Sequence, residues 1–555
     1  MKISTGEAVI RLLSRYGVDT VFGIPGVHTL EFYRGLGEGS AVRHIQARNE
    51  MGAGFMADGY ARASGKPGVL LTISGPGVTN ALTPLGQAYN DSVPILLISA
   101  EARLDTLGKG WGTLHEVTDL CAVTRPVTAF SALARQPEDI PDLMAQAFSH
   151  FASSRPRPVH IAIPVDVLDQ FLEADWTPVV LPSRPQADAA RLDAAAAMLG
   201  KAKLPVVIAG GGAVEADVQA LVEKTGAIAV ATNAGKGIMP DDHPLSLGGA
   251  ISRPEVQALL GEADVVLAIG TELSETDSYL PRMAIAGQII RIDIDPAKIN
   301  DRYPATIGII GDAASAARGL SERLGSASRE RIERAATHVA TIRASIEASL
   351  GDHERKHVKL LSVLRDLLED EAIITGDACQ VAYSASFGLV SRKPRGWFYG
   401  AGYCTLGFAF PLAAGAKIAE PERAVVVMAG DGGMMFCAQE LITAAEQKLA
   451  IPFIVWDNQG YKQIRDDMRS LNVPRVAVDG IGPDFMALAK AYRCHGCEPG
   501  DEAAFRKAVT DALAADRPTL IRVDESSSWL AQAGQIWASS SARPAFRDTS
   551  SDPST

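Results

Sequence analysis

The residue types best suited to chemistry gather in Gly430-Asp431-Gly432 and, further along, in Asp457-Asn458. A carboxylate and an amide oxygen are hard ligands that suit Mg²⁺, and the glycines let the oxygens of a diphosphate approach the backbone. Cys494-His495-Gly496-Cys497 has the two-residue spacing of a metal knuckle. No second pair completes a zinc site, so it reads as a loop carrying two thiols.

Regular elements must position the first pair of clusters. The apolar run 424–428 reads as a buried parallel strand, residues 439–448 as a helix, and 452–456 as the next strand. Both clusters then sit at the carboxyl ends of neighbouring parallel strands, where open α/β sheets bind ligands. The same alternation runs through the chain. Residues 5–16 have helical spacing, 18–23 read as a strand ending in the turn Ile24-Pro25-Gly26, and 68–73, 93–99 and 159–164 are further strands. Residues 178–185, with three prolines, look like a linker. A second α/β unit opens with strand 205–209 and Gly210-Gly211-Gly212, and continues through 263–270 and 289–294. A charged, Ala-rich helical stretch over 313–357 bridges to the third unit, and the Ser- and Pro-rich end reads as a loose tail. The fold class is α/β: three consecutive doubly wound parallel-sheet domains at 1–177, 190–325 and 356–530, with a tail at 531–555.

Composition narrows the function. The chain has 555 residues, too many for one core, and 47% of them are apolar. A formal charge of −12 argues against a nucleic-acid surface. No apolar stretch of membrane-spanning length is free of charges or breakers, and Met1-Lys2-Ile3-Ser4 lacks a signal-peptide core. Six cysteines fit reduced thiols better than a disulfide framework. The expectation is a soluble cytoplasmic protein acting on a small molecule, with no nucleic-acid or membrane partner.

In order and content the motifs resemble those of thiamine diphosphate-dependent 2-oxo acid decarboxylases and acetolactate synthase-like enzymes, over about residues 5–524. The family's GDG followed by NN is matched with Asp457 at the first Asn. Gly23-Ile24-Pro25-Gly26, Glu50 with Met51-Gly52-Ala53-Gly54, Ser74-Gly75-Pro76-Gly77-Val78-Thr79-Asn80, Thr375-Gly376-Asp377-Ala378-Cys379-Gln380 and Gly402-Tyr403-Cys404-Thr405-Leu406-Gly407 match in turn.

The resemblance implies a pyrimidine-binding first domain, a Rossmann-like central domain and a diphosphate- and Mg-binding third domain. It also implies that Glu50 contacts N1′ of the aminopyrimidine. A carboxyl there favours the 4′-imino tautomer, whose nitrogen can remove the thiazolium C2 proton. As a residue on its own, Glu50 reads as an acidic helix start. Pro25, Gly26, Gly75 and Asn80 are implied to line the cofactor, and Gln380 to donate on the diphosphate side. The Cys404 carbonyl would accept from the 4′-amino group, at a position where relatives usually have Gly. Leu406 would wedge between the two rings. Gly430, Asp431, Gly432, Gly433, Asn458, Gly460 and Tyr461 would hold the diphosphate, with Asp431, the Asn458 side chain and the Gly460 carbonyl as Mg²⁺ ligands. His28 and His115 are catalytic candidates because a neutral imidazole shuttles protons near pH 7. For His28 a solvent-facing ring is the competing reading, and for Glu116 a cap. The family's active unit is a homodimer or a dimer of dimers.

Three functions compete. One is non-oxidative decarboxylation of a 2-oxo acid to an aldehyde; Gly23–Leu30 and 270–277 are most similar to 5-guanidino-2-oxopentanoate (2-ketoarginine) decarboxylases. A guanidinium would need carboxylates, and Glu116, Asp466 and Asp467 are the possible suppliers. The second is acetolactate synthase-like carboligation. Against it stand His115 at the synthase Gln position and the lack of a Trp in 461–468. The third is an FAD-binding or non-catalytic regulatory protein built around Gly210-Gly211-Gly212. Retention of Glu50, Asp431 and Asn458 counts against that reading. Trp529-Leu530-Ala531-Gln532 reads either as a segment closing over the site or as a surface helix.

Overall fold

The computed structural model describes residues 2–532 and 534–537. Three parallel sheets follow one another along the chain. The first orders its strands as Arg43–Gln46, Thr20–Gly23, Gly68–Thr72, Ile95–Glu101, Val159–Pro164 and Phe130–Leu133. The third runs Trp397–Tyr399, Ile373–Gly376, Val425–Gly430, Pro452–Asp457, Thr519–Asp524 and His495–Cys497. Numbered along the chain within each sheet, both read 2-1-3-4-6-5, so the outer domains share one topology. The middle sheet reads 2-1-3-4-5 and is also wholly parallel. Strands such as Gly68–Thr72 and Val425–Gly430 are buried along their length because helices cover both faces, which explains their continuous apolar runs. In every sheet the order reverses between the first and third strands, and a crevice opens there at the carboxyl ends.

Two helices join the outer domains. Glu50–Ser64 and Ala409–Ala419 are buried along most of their length and lie against each other. Their contact is reciprocal. A side chain at Gly59 would run into the Leu412 carbonyl, and one at Gly415 into the Met56 carbonyl. Each helix thus offers a glycine to the carbonyl three residues before the other's glycine. Gly59→Val should overpack this contact and cost roughly 3 kcal/mol, read as a lower urea midpoint. An unchanged midpoint would contradict this use of the glycine.

The helical stretch expected over 313–357 is three helices, Ala313–Arg323, Arg329–Ser349 and Asp352–Leu367. Local capping breaks it. Ser328 Oγ accepts from the Arg331 amide at 3.3 Å, and the Gly351 amide donates to Glu354 Oε2 at 2.8 Å. The end of the third domain also differs from expectation. Trp529 and Leu530 are buried in a short turn, Ser528–Ala531, and Trp529 stacks on Phe505 with ring centroids 5.4 Å apart. Trp529 and Leu530 therefore pack into the core, while Ala531 and Gln532 are exposed. Beyond them, Ile536 is buried against the middle domain and Arg343 lies over the Trp537 ring. The expected tail from 538 on lies outside the described residues. Among the described residues, no helix is long and apolar enough to cross a membrane.

Candidate active site

The crevice of the first sheet carries the loops after Thr20–Gly23 and Gly68–Thr72, which hold Pro25, Gly26, Ser74 and Gly75. Asn49 caps the next helix, its Oδ1 accepting from the Met51 amide at 2.8 Å, so Glu50 opens the first turn. Glu50 is buried, and its Oε2 accepts from Asn80 Nδ2 at 3.0 Å. His28 Nδ1 lies 2.8 Å from Ser74 Oγ, and the His28 and His115 rings meet edge to face at 5.0 Å. Burial lowers the pKa of His28, and the charge of His115 lowers it further. His115 is held at φ +63, a conformation that L residues rarely adopt, and its buried Nδ1 has no hydrogen-bond partner among the described residues. Gly75, at φ +55, admits the His115 carbonyl where a side chain would block it. The structure thus brings Glu50, Asn80, His28, His115 and Gly75 into one cluster.

A second cluster occupies the crevice of the third sheet. Asp431 follows the strand Val425–Gly430 directly and accepts the Gly460 amide on Oδ2 at 2.7 Å. Gly460 has φ +113, and a side chain there would also meet the Val478 carbonyl, so only glycine fits. Arg465 holds the Asn458 carbonyl at 3.0 Å. The Tyr461 ring covers Gly432, leaving no space for a Cβ, and Gly433 lies against Asp377 and Leu406. Gly430 abuts Cys379. Cys404 sits at φ +49, which explains why glycine suits that position, and its Sγ lies 3.2 Å from the Tyr399 hydroxyl. Asp457, the departure from the Asn pair, is bound by Arg522 at 2.7 Å and so faces a cation of its own. Burial raises the pKa of Asp431, with the Asp457 charge adding to it.

Three candidate groups have partners within the protein here. Gln380 opens the helix Gln380–Gly388, and its Nε2 donates to Gln463 Oε1 at 3.1 Å and Asp466 Oδ2 at 3.3 Å rather than standing free toward a diphosphate. Glu116 is a cap. Its carboxylate accepts the amides of Gly110, Gly112 and Thr113 at 2.8, 2.7 and 3.2 Å, which closes its own loop. Glycines 210 and 212 of the middle domain pack backbone to backbone on Gly270, with the Gly212 amide 3.0 Å from the Gly270 carbonyl. The thiols behave as expected. All six cysteines are free, Cys494 is buried and His495 pairs with Asp516 at 3.1 Å.

Two residues escaped sequence reading. Asp377 is fully buried and accepts the Gly407 amide on both oxygens, at 3.0 and 2.9 Å, which ties the Leu406 loop to the diphosphate loop. Burial pushes its carboxyl up to about 7. Glu440 crosses between domains, accepting the Arg48 amide at 3.1 Å and the Asn49 amide at 3.0 Å just before Glu50. Its only sequence signal was an acidic residue opening a helix shortly after Asp431.

Burial pushes Glu440 up to about 6 from 4.5. A carboxyl raised on folding binds its proton more tightly in the folded state. Its contribution therefore favours folding below pH 4.5 and is lost as pH rises through 6. Compared with Glu440→Gln, the wild type should lose stability as pH goes from about 4.5 to 6.5. A difference in urea midpoint that ignores pH over that window would contradict the assignment.

The donor set fits a metal-bound diphosphate. Asp431 and the Gly460 loop present hard oxygen ligands side by side, and glycines 430, 432 and 433 keep side chains out of the approach. A cavity of about 650 Å³ adjoins Asp431 and is lined also by Asp457, Gln459, Phe485 and Arg522. The buried Thr405 Oγ1, beside Leu406, has no hydrogen-bond partner among the described residues. The two clusters lie in the first and third domains and share no hydrogen bond among the described residues.

Comparison with known proteins agrees with this division. Residues 3–123 match the thiamine pyrophosphate enzyme N-terminal TPP binding domain, 192–320 the central domain, and 377–523 the C-terminal TPP binding domain. The chain is 47% identical to the probable 2-ketoarginine decarboxylase AruI of Pseudomonas aeruginosa over 505 residues, 90% of each chain. It is 30% identical to acetolactate synthase isozyme 1 large subunit of Escherichia coli, covering 94% of each. A probable acetolactate synthase large subunit of Methanocaldococcus jannaschii is also 30% identical, over 93% of this chain and 91% of the relative. Matches of this length, in the same domain order, show that the chain belongs to the thiamine pyrophosphate-dependent enzyme family.

Proposed function

We propose that this enzyme decarboxylates a 2-oxo acid without oxidation, releasing CO₂ and an aldehyde, and that its substrate is 5-guanidino-2-oxopentanoate. The reaction consumes one proton: the carboxylate leaves as CO₂ and a C–H bond forms at the former keto carbon. Thiamine diphosphate, when bound, would supply the electron sink for the pair released with CO₂. Asp431, the Asn458 side chain and the Gly460 carbonyl would hold Mg²⁺ against its diphosphate. Glu50, steadied by Asn80, holds a proton against the aminopyrimidine.

The observation that carries the reading is the His28–His115 pair beside Glu50. Two imidazoles that lie together, with His28 bonded to Ser74, are groups able to give the proton that the new C–H bond needs. Fast protonation favours the aldehyde over attack on a second carbonyl. The helix Lys462–Ser470, which carries no Trp, supports the same outcome.

The site needs a second copy of the chain. Val27, Leu30, Trp111 and Leu114 are exposed around the first cluster, and Tyr403, Met435, Phe436 and Ile464 around the second. Apolar rims of this kind suit association. In a symmetric homodimer the Glu50 cluster of one chain faces the Asp431 cluster of the other; a dimer of dimers repeats the arrangement. Cytoplasmic location agrees with the free thiols.

A substrate panel tests the proposal. CO₂ release should be fastest, by kcat/KM, with 5-guanidino-2-oxopentanoate, compared with pyruvate, branched-chain and aromatic 2-oxo acids. No CO₂ from any member would overturn the decarboxylase reading, and a fully active monomer in sedimentation would overturn the shared site.

A further inference from the structure

The carboxylates open to a cationic substrate part company in the structure. Glu116 spends both oxygens on the amides of its own loop. Asp466 and Asp467 lie on the helix Lys462–Ser470, which starts two residues after Gly460. Gln463 Nε2 donates to Asp467 Oδ1 at 3.0 Å, and Gln380 Nε2 donates to both Gln463 Oε1 and Asp466 Oδ2. The amide donors of this cluster are therefore consumed inside it, and what is left over is acceptors.

An independent observation points to a ligand. Gln380 is only 7% exposed, its amide nitrogen donates into the cluster, and its buried Oε1 has no hydrogen-bond partner among the described residues. Turning the amide over would set its oxygen against Gln463 Oε1 and the Asp466 carboxylate, two acceptors, so chemistry fixes the orientation. A buried acceptor left unpaired is costly, about 1–3 kcal/mol, unless a donor arrives. The protein's own cations do not fill this role. The Arg469 guanidinium stands 3.9 Å from Asp466 Oδ1 with its side chain 78% exposed, Arg465 is held by the Asn458 and Gln459 carbonyls and Asp479, and Lys462 pairs with Glu525.

We infer that Gln380, Asp466 and Asp467 form the subsite that receives the cationic end of the substrate, a planar guanidinium. The inference rests on the 2-oxo acid decarboxylase reading and deepens it by naming the specificity residues. Five N–H donors and no acceptor make a guanidinium the complement of two carboxylates and one amide oxygen, and its fork can span neighbouring acceptors. Asp466 is half-buried, so its charge is less screened than a fully exposed one would be. The helix carrying the carboxylates follows directly on the loop of Asn458 and Gly460, so specificity and metal binding are built on consecutive residues.

The test compares kcat/KM for 5-guanidino-2-oxopentanoate and for the uncharged 2-oxohexanoate, using holoenzyme whose retained cofactor is checked by fluorescence quenching. Wild type should prefer the guanidino acid. In Asp466→Asn/Asp467→Asn that preference should fall at least about tenfold, mainly through KM, as loss of charge-assisted hydrogen bonds requires. Asp467→Lys, at an exposed position that tolerates change, should lose the preference and gain turnover of 2-oxoadipate. A wild type without the preference would remove the guanidino substrate itself. A wild type with the preference, retained in cofactor-loaded Asp467→Lys or in the double variant, would overturn the subsite and leave the decarboxylase reading standing.

Discussion

Asp431→Ala should yield a folded protein that neither retains thiamine diphosphate nor releases CO₂. The carboxylate does two things. It accepts the Gly460 amide at 2.7 Å, which shapes the loop, and it is the one charged group among the proposed Mg²⁺ ligands. Losing the first leaves an amide unpaired, at a cost of about 1–3 kcal/mol. A domain of ordinary stability, about 5–15 kcal/mol, survives that. Losing the second is decisive, because Mg²⁺ demands close octahedral oxygen ligation and a diphosphate needs its charge neutralised. Burial and Asp457 also raise the Asp431 pKa, a cost that a bound divalent cation reverses by favouring the charged form. Cofactor content after gel filtration and activity with and without added Mg²⁺ are the measurements. Full activity of the variant in the absence of metal would remove Asp431 from the site.

Glu50→Gln should bind the cofactor yet slow the reaction by about 10²–10⁴-fold, the usual worth of a positioned acid or base. The amide preserves size and can still meet Asn80, which lies 3.0 Å from Oε2, so packing at the helix start is kept. What disappears is a group able to hold a proton against the aminopyrimidine. Exchange of the C2 proton of bound cofactor, followed by NMR after quenching, reads this step without any substrate. Exchange at the wild-type rate would assign Glu50 a purely structural role at the helix N-terminus.

Much of the site is legible in the sequence because its residues are adjacent to strand ends. Gly430-Asp431-Gly432 and Asp457-Asn458 follow consecutive apolar runs, and parallel strands place such ends side by side. The same logic gathers Pro25, Gly26 and Gly75. What escapes is whatever depends on partners far along the chain. Glu440 owes its role to the amides of Arg48 and Asn49, and no local pattern announces a carboxylate that caps a helix from another domain. Gln380 and Glu116 have the right type and neighbourhood, but hydrogen-bond geometry commits one to Asp466 and the other to its own loop. Trp529 was ambiguous because a four-residue turn is too short to show which face is buried. The shared strand order of the outer domains is equally hidden, since sequence gives the number of strands and not their neighbours. Asp457 stands apart: its departure from the family pattern is explained only by Arg522, two strands of hydrogen bonding made visible by the sheet.

The central claim concerns what becomes of the carbon skeleton after CO₂ leaves. Supply the holoenzyme separately with 5-guanidino-2-oxopentanoate and with pyruvate, then measure CO₂, aldehyde and acetolactate in the same samples. The account predicts one 4-guanidinobutanal per CO₂ from the first acid, with acetaldehyde exceeding acetolactate from the second. Acetolactate as the main product from pyruvate, with no aldehyde from either acid, would contradict it and make the enzyme a carboligase.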